Sequence, residues 1–281
     1  MTHRLGVIGY PLSHSISPPV HQAALDHLGI DARFEVWETL PSDLPALIDR
    51  MRTPEFMGAS VTIPHKETVA ALMDELSPGA AAIGAVNCIV NVSGRMVGHN
   101  TDCDGFITAL GRCSGFSAKG RSILLIGAGG AAKAIGHALL GEGAASLTIA
   151  NRTRARAETL AADLNGGAVA VSLDPSDLAG PAAGADLIVN STSVGMSSGE
   201  RAGDCPIEPG LIPAGSLVND IVYSPPETPL MRVALARGAR VLGGLPMLIF
   251  QGAAAFELWT GQDAPVEVML AAGERALTVH G

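Results

Sequence analysis

The sequence predicts an α/β protein of two domains, the second of which is a doubly wound parallel sheet. Three observations support this fold class. Aliphatic runs alternate with helical patterns from residue 121 onward, which is the spacing of parallel strands joined by crossover helices. A glycine-rich turn at residues 127–130 directly follows one of these runs. The chain has 281 residues, of which 47% are hydrophobic, so it can fill two cores.

The first domain, residues 1–104, is expected to alternate strands with helices. Strands are predicted at residues 5–10, 33–38, 56–63, 85–90 and 95–97, the last two joined as a hairpin by a Ser-Gly turn. Ser17 before Pro18 is typical of an N-cap, and residues 42–51 have a helical pattern. Pro64 marks the expected start of a further helix, which would place Lys66 in its first turn.

The second domain, residues 105–245, is expected to hold a regular series of strands and helices. Strands are predicted at residues 122–126, 146–150, 168–171, 187–190, 217–220 and 239–242, with helices at 131–141, 154–164 and 229–237. Only a short connection is expected at residues 103–120. An apolar helix at residues 245–260 could cover the sheet or return to the first domain. We assign residues 246–281 to C-terminal helices that return to the first domain.

Composition excludes several classes of partner. The chain has 27 acidic and 18 basic residues and no basic run, so neither nucleic acid nor an anionic membrane is expected. The cysteines lack metal-ligand spacing, and His14, His21, His65 and His99 are scattered, which predicts no metal site and surface or capping histidines. No signal-peptide pattern and no membrane-spanning apolar run is present, which predicts a cytoplasmic protein.

The glycine-rich turn has the properties of a dinucleotide-binding site. Gly127 permits the tight turn, Gly129 allows close approach of a pyrophosphate, and Ala132 fills the third small position of a GxGxxA pattern. Phosphate would bind the free N–H groups at the start of the following helix. The pattern alone also fits a structural turn, but its place between strand and helix favours a Rossmann-like nucleotide site. That site would include Gly127, Ala128, Gly129, Gly130 and Ala131.

A cluster of basic residues follows the second strand of this domain. An enzyme that binds an unphosphorylated ribose has an acidic residue here, whereas this chain has Asn151, Arg152 and Thr153, with Arg154 and Arg156 close behind. Arginine binds a 2′-phosphate through charge-assisted hydrogen bonds worth about 1.5–3 kcal/mol, which is about 10- to 150-fold in affinity. An ordinary solvated helix face is the alternative. The missing acid and the added base together predict NADP as the cofactor.

Polar residues of the first domain form two groups. Ser13 and Ser15 lie in a loop that leads to a helix N-terminus, which suits a small carboxylate, although capping serines explain the pattern equally well. Thr62 ends a strand, Lys66 opposes the dipole of the helix expected there, and Asp102 lies in the connection that leaves the domain. A Lys66–Asp102 pair across the interdomain cleft would form a general acid/base couple for proton exchange with a hydroxyl or carbonyl.

These motifs together resemble the shikimate/quinate dehydrogenase family. The resemblance rests on GYPLSHSISP at residues 9–18, VTIPHK at 61–66, GAVN at 84–87, NTD at 100–102, NRT at 151–153, NST at 190–192, DIVYSP at 220–225 and GGLPMLIFQ at 243–251. It covers nearly the whole chain in the right order. It implies reversible NADPH-dependent reduction of 3-dehydroshikimate to shikimate, in the route to chorismate and the aromatic amino acids, by a monomer or homodimer.

The resemblance also implies roles for individual residues. Lys66 and Asp102 would flank the carbon that is oxidised or reduced. The substrate would be bound by Ser13, Ser15, Thr62, Asn87, Tyr223 and Gln251, and the cofactor also by Thr192, Ile221, Gly244 and Met247. Cys88 and Pro246 depart from the family pattern, and Pro246 beside the nicotinamide leaves open a broader preference for quinate or an aminoshikimate. A non-enzymatic sensor is a second alternative, which the retained Lys66 and Asp102 disfavour.

Overall fold

The structure is a computed structural model that describes residues 2–12, 15–197 and 199–280. Its contacts divide the chain into two compact units. The first unit runs to Gly105 and resumes at Leu248, and the second comprises Phe106–Met247. Within the described residues, no helix is both long enough and apolar enough to cross a membrane.

The first unit is built on a mixed sheet of six strands. They are β1 (His3–Gly9), β2 (Ala32–Glu38), β3 (Phe56–Val61), β4 (Glu75–Leu76), β5 (Cys88–Val92) and β6 (Arg95–His99), in the spatial order β2-β1-β3-β5-β6-β4. β1 pairs in parallel with β2 and β3, whereas β5 is antiparallel to both β3 and β6. The predicted hairpin is therefore confirmed, and the carboxyl ends of β1, β2 and β3 meet at one edge.

Helices pack around this sheet. They are α1 (Ser17–His27), α2 (Leu44–Arg50), a 3₁₀ helix (Thr68–Leu72), α3 (Pro78–Ile83), the first turn of α4 (Asp102–Ser114), most of α9 (Leu245–Thr260) and α10 (Val266–His280). α10 packs against α1. Trp259 of α9 donates a hydrogen bond from Nε1 to the Ile89 carbonyl of β5 at 2.9 Å. The expected return of the C-terminal helices to the first domain is thus confirmed.

The second unit is a doubly wound sheet of six parallel strands, as predicted. They are β7 (Ser122–Ile126), β8 (Ser146–Ala150), β9 (Val169–Val171), β10 (Leu187–Asn190), β11 (Leu217–Asp220) and β12 (Arg240–Leu242), in the spatial order β12-β11-β10-β7-β8-β9. In this order, two mononucleotide-binding halves meet between β7 and β10. The connecting helices are the rest of α4, α5 (Gly130–Gly141), α6 (Arg154–Asp163), α7 (Pro175–Ala183), α8 (Pro229–Ala236) and a 3₁₀ helix (Pro209–Leu211).

Two helix starts in the first unit differ from the expectation. The N-cap of α1 is Ile16 rather than Ser17, because the Ile16 carbonyl already accepts the first helical hydrogen bond, from the Val20 N–H at 3.3 Å. No helix starts at Pro64, and helical structure begins only at Thr68. Lys66 therefore lies in a turn and does not oppose a helix dipole.

The third difference is α4, which occupies a stretch where only a short connection is expected. The Asn100 side-chain oxygen accepts the Asp102 N–H at 3.1 Å just before the helix, and Asp102 and Asp104 lie in its first turn. Acidic residues in a first turn interact favourably with the helix dipole. The sequence signal for this helix is therefore present at residues 100–104.

Candidate functional site

Lys66 and Asp102 form an ion pair in the first unit. Lys66 Nζ lies 2.6 Å from Asp102 Oδ2, and the two side chains are 16% and 5% exposed. Asp102 is the first residue of α4, and Lys66 lies in the turn after β3. Both belong to the same unit, so the pair does not span two domains as expected. A shielded ammonium in contact with a carboxylate can exchange a proton with a substrate oxygen while it stays fixed in place.

Asn87 connects this ion pair to its surroundings. Its side chain is buried, and Nδ2 lies 2.8 Å from Asp102 Oδ1, 2.9 Å from Thr101 Oγ1 and 3.1 Å from Gln251 Oε1. Its Oδ1 accepts a hydrogen bond from the Thr101 backbone N–H at 2.7 Å. An amide nitrogen has two hydrogens, so it can satisfy only two of these three acceptors at once. The cluster therefore holds one acceptor more than the Asn87 amide can serve.

Gln251 reaches the cluster because α4 and α9 approach each other closely. A Cβ atom on Gly105 would lie 2.6 Å from both the backbone nitrogen and the Cβ of Gln251, so a side chain at this point of α4 would collide with α9. Gln251 Nε2 donates to the Leu248 carbonyl at 2.8 Å, which leaves Oε1 to Asn87. The structure thus brings together Asn87, Asp102 and Gln251, and it adds Gly105, which sequence reasoning missed.

The turn that carries Lys66 is held by His65, which is expected at the surface or as a cap and is buried in the structure. His65 is 1% exposed, and its Nε2 lies 2.7 Å from the Thr39 carbonyl oxygen. Because a carbonyl can only accept, Nε2 carries the donated proton. The Lys66 carbonyl accepts the Val86 N–H at 2.8 Å. Thr62 opens the same turn, directly after β3, so two predicted site residues share one anchored segment.

Of the two serines predicted to bind a carboxylate, only Ser15 can be placed, since Ser13 lies outside the described residues. Ser15 donates its backbone N–H to the Leu12 carbonyl at 3.1 Å, and its Oγ lies 3.4 Å from the Ser17 backbone nitrogen. The Leu12 N–H donates to Glu38 Oε2 at 2.8 Å. The segment before α1 is thus tied to the end of β2, and the Ser15 hydroxyl lies at the start of that helix.

The glycine turn of the second unit fits a pyrophosphate. Gly127 has φ = +117°, a value that favours glycine, and a Cβ atom there would collide with Ser191 Oγ. Gly129 is the N-cap of α5, and apart from its own chain neighbours no atom lies within 4 Å of where its Cβ would be, so the space at this position is open. An anion there would meet both backbone N–H donors and the helix dipole. The remaining predicted members of the turn are Ala128, Gly130 and Ala131.

Basic side chains follow β8, the neighbour of β7 in the sheet. Arg152 and Arg156 are exposed and make no ion pair within the described part of the chain, whereas Arg154 is paired within α6. Asn151 Nδ2 donates to the Thr153 carbonyl at 2.9 Å, and Thr153 is the N-cap of α6. Two arginines of the predicted set are therefore available to a phosphate.

The other predicted cofactor residues follow strands on the opposite side of β7. Thr192 comes after β10 and donates from Oγ1 to the side-chain oxygen of the last residue of that strand at 2.7 Å. Gly244 comes after β12, so close to the Ile221 carbonyl that a Cβ atom would collide with it. Met247 is buried. Tyr223, predicted to bind substrate, also belongs to this unit, where burial raises its pKa.

The described residues contain no group of three or more histidine, cysteine, aspartate or glutamate side chains that could hold a metal ion. The four cysteines are free thiols. Cys88, which departs from the family pattern, is buried in the first unit, and burial raises the pKa of its thiol. It therefore stays neutral and packs as a small apolar side chain.

Three protein-family models match this chain. The model of the shikimate dehydrogenase substrate binding domain matches residues 7–89. The model of shikimate/quinate 5-dehydrogenase matches residues 110–197, and that of the shikimate 5′-dehydrogenase C-terminal domain matches residues 244–272. The matches therefore fall in both structural units.

Individual relatives are similar along almost the whole chain. The shikimate dehydrogenase (NADP(+)) of Moorella thermoacetica is 42% identical, over 95% of this chain and 91% of its own. The corresponding protein of Symbiobacterium thermophilum is 43% identical, over 97% of this chain and 94% of its own.

Solved structures share the fold over a similar length. The shikimate 5-dehydrogenase of Thermus thermophilus, in complex with NADP(H) and shikimate, is 40% identical with a TM-score of 0.88, covering 98% of this chain and 100% of that chain. The quinate dehydrogenase of Corynebacterium glutamicum, in complex with NAD, is 33% identical with a TM-score of 0.87, covering 96% of this chain and 98% of that chain.

Proposed function

This chain belongs to the shikimate dehydrogenase family, and we propose that it catalyses the reversible NADPH-dependent reduction of 3-dehydroshikimate to shikimate. The observation that carries this proposal is the Lys66–Asp102 ion pair, held at 2.6 Å beside the amides of Asn87 and Gln251. The cluster combines a proton-transfer group with neutral hydrogen-bond partners, which a polyhydroxylated substrate requires. The product would enter the route to chorismate and the aromatic amino acids, in the cytoplasm.

Lys66 is the proposed proton donor in the reduction. Its Nζ would protonate the carbonyl oxygen that becomes the new hydroxyl, and in the oxidation the same nitrogen would take the proton back. Asp102 Oδ2 accepts a hydrogen bond from Nζ, and Asp102 Oδ1 accepts one from Asn87. Because both carboxylate oxygens are engaged, the carboxylate cannot turn away, and it holds the lysine side chain in one direction.

The remaining polar residues are proposed to bind the substrate. Ser13 and Ser15 would hold its carboxylate, and the proposed hydroxyl partners are Thr62, Asn87, Tyr223 and Gln251. The Asn87 amide supports this assignment, because it faces one acceptor more than its two hydrogens can serve. A substrate hydroxyl would donate to the acceptor that the Asn87 amide does not serve.

NADP(H) is the proposed cofactor, and when bound it supplies the hydride. The open N-terminus of α5 and the glycine turn would hold its pyrophosphate. Arg152 and Arg156 would bind the 2′-phosphate, and Asn151 and Thr153 would line the same pocket. The residues proposed to border the nicotinamide are Ile221, Gly244 and Met247, and Thr192 would lie in a loop beside the cofactor.

A quinate dehydrogenase, or an enzyme that also takes an aminoshikimate, is the second candidate. It is supported by the similarity to the Corynebacterium glutamicum quinate dehydrogenase, whose structure is in complex with NAD. The exposed Arg152 of this chain instead favours a phosphorylated ribose. A non-enzymatic sensor is disfavoured by the Lys66–Asp102 pair, which binding alone does not require.

A steady-state assay of shikimate and quinate, each with NADP⁺ and NAD⁺, tests the proposal. We expect the highest kcat/KM for shikimate with NADP⁺, at least about tenfold above shikimate with NAD⁺. A higher kcat/KM for quinate would favour the second candidate. Purified, folded protein that turns over none of the four combinations would contradict the enzymatic function.

A further inference from the structure

Asp220 lies at the carboxyl edge of the second-unit sheet and has no part in the function proposed above. It is the last residue of β11 and pairs in register with Asn190, the last residue of β10, which pairs with Ile126, the last residue of β7. The glycine turn follows Ile126 immediately. Asp220 is therefore placed at the edge where doubly wound sheets bind their ligands.

The Asp220 carboxylate is 0% exposed and, within the described residues, accepts hydrogen bonds from neutral donors alone. Its Oδ1 accepts from Asn190 Nδ2 at 2.9 Å and from the Val222 N–H at 3.1 Å, and its Oδ2 accepts from Thr228 Oγ1 at 2.6 Å. Burial raises the pKa of this carboxyl. A buried carboxylate without a cationic partner destabilises the fold, so it calls for a reason beyond stability.

The donors to Asp220 belong to three separate segments. Asn190 Oδ1 accepts hydrogen bonds from the backbone nitrogen and Oγ1 of Thr192, at 3.1 and 2.7 Å, so Asn190 holds the loop after β10. Val222 lies in the loop after β11. Thr228 is the N-cap of α8, and its side chain accepts a hydrogen bond from that helix. One carboxylate thus links two loops and a helix start at the same edge.

We propose that Asp220 is a positioning residue for the nicotinamide half of NADP(H), an inference that rests on the proposed function. In a doubly wound sheet, each half takes one mononucleotide. Arg152 and Arg156 follow β8 on one side of β7, whereas the loops that Asp220 links follow β10 and β11 on the other side. Asp220 acts without touching the cofactor, because it fixes the loops that carry Thr192 and Ile221.

The test compares the binding of two probes by isothermal titration calorimetry. NADPH contains both halves of the cofactor, and adenosine 2′,5′-bisphosphate contains only the phosphorylated adenosine half. Asp220→Asn keeps the size of the side chain but leaves one acceptor oxygen for three donors. We expect the Kd of NADPH to rise about tenfold or more, and that of the bisphosphate to stay within about twofold. Thr228→Val, which removes one donor, should give the same pattern.

Asp186→Asn is the matched control. Asp186 Oδ2 accepts the Ser122 N–H at 2.9 Å at the amino edge of the same sheet, so the same chemical change there should leave both dissociation constants within about twofold of wild type. Its carboxylate also pairs with Arg121 at 3.1 Å. Asp186→Asn removes one negative charge, as Asp220→Asn does, and it also removes the ion pair with Arg121. The change lies at the amino edge of the sheet, away from the edge where the ligand is proposed to bind.

An equal rise in both dissociation constants, or no change in either, would overturn the inference, because general loss of structure weakens both probes together. If circular dichroism shows that Asp220→Asn does not fold, Thr228→Val decides by the same criterion. Wild-type protein that binds neither probe would contradict the proposed function itself. The two failures are therefore distinguishable.

Discussion

His21 is expected to make the stability of the first unit depend on pH. Its ring is 2% exposed, stacks on Phe34 with ring centroids 4.4 Å apart, and is tilted against Trp259 at 5.3 Å. Its Nδ1 has no hydrogen-bond partner among the described residues. Burial in this apolar cluster lowers the pKa of His21 from 6.5 to about 3, because the imidazolium would lose its hydration.

The sign and size of the effect follow from proton linkage. Between pH 6.5 and about 3, the unfolded chain binds a proton at His21 that the folded unit does not. The free energy of unfolding is therefore undiminished above pH 6.5 and falls as the pH decreases through this window, by about 1.4 kcal/mol per pH unit. Between pH 6.5 and pH 5, His21 alone should lower the free energy of unfolding by about 2 kcal/mol.

Urea unfolding followed by tryptophan fluorescence measures this loss. The two tryptophans of the chain, Trp37 and Trp259, both lie in the first unit, so the signal reports that unit. We compare the free energies of unfolding of wild type and His21→Leu from about pH 7.5 to pH 5. The decrease that His21 contributes below pH 6.5 should be absent in the variant. His27→Leu, at an exposed position of the same helix, should retain it. Equal slopes in wild type and His21→Leu would refute the reasoning.

Three further predictions concern the proposed enzyme. Lys66→Ala should lower kcat by about 10²–10⁴ with KM within a few-fold, because it removes the proton donor. Arg152→Ala should raise the KM of NADPH by about 10- to 150-fold and leave that of NADH nearly unchanged, because only NADPH has the 2′-phosphate. Gly105→Ala should raise the KM of shikimate by about tenfold or more, because the new Cβ displaces Gln251. Steady-state kinetics measures all three.

Each of these variants has a matched control. Lys119→Ala changes an exposed lysine, Arg154→Ala an arginine paired within α6, and Gly111→Ala a glycine of α4 with no atom within 4 Å of its Cβ position. All three controls should keep kcat and KM within about twofold of wild type.

Two results would contradict the assignments in the proposed enzyme. An unchanged kcat in Lys66→Ala would remove the proton-donor assignment, and equal losses for NADPH and NADH in Arg152→Ala would remove the phosphate assignment. A Gly105→Ala enzyme with the wild-type KM would contradict the prediction, because it would show that α9 can move enough to accept the new Cβ without displacing Gln251.

The second unit is largely predictable from the sequence, because parallel strands buried on both faces leave uninterrupted aliphatic runs. The predicted bounds of β7, β8, β10 and β11 coincide with those of the structure. α7 is not predicted, because Gly180 and Pro181 lie inside it and weaken its helical pattern. Prediction from helical pattern and propensity thus misses a helix that is stabilised by tertiary packing and not favoured by its own residues.

The candidate site is less predictable, because its contacts join distant parts of the chain. Residue type and position predict the pair of Lys66 and Asp102, but nothing local shows that both residues belong to the same unit. The partner of His65 is a backbone carbonyl at the end of another strand, and backbone carbonyls have no sequence signal. Gly105 is required by a helix from the far end of the chain.

The buried position of His21, by contrast, has a sequence signal. The buried residues of α1 are Val20, His21, Ala24 and Leu25, which share one face at helical spacing. A histidine inside such an apolar stripe should be assigned to the core. The expected surface or capping role of His21 is wrong, because it rests on residue type alone and ignores the helical period of the apolar residues around it.

Asn87 and Asp220 serve the same structural purpose in the two units. Asn87 directly precedes β5 and joins Asp102 to Gln251, and Asp220 ends β11 and joins Asn190 to the start of α8. A buried polar group is stable only when its partners are in place, so Asn87 and Asp220 each hold together the segments that carry their partners. A substitution that removes these contacts would displace the segments that are proposed to bind ligand, while the aliphatic core still holds the sheet together. Loss of affinity for one ligand, rather than loss of folding, is therefore the measurement that identifies such residues.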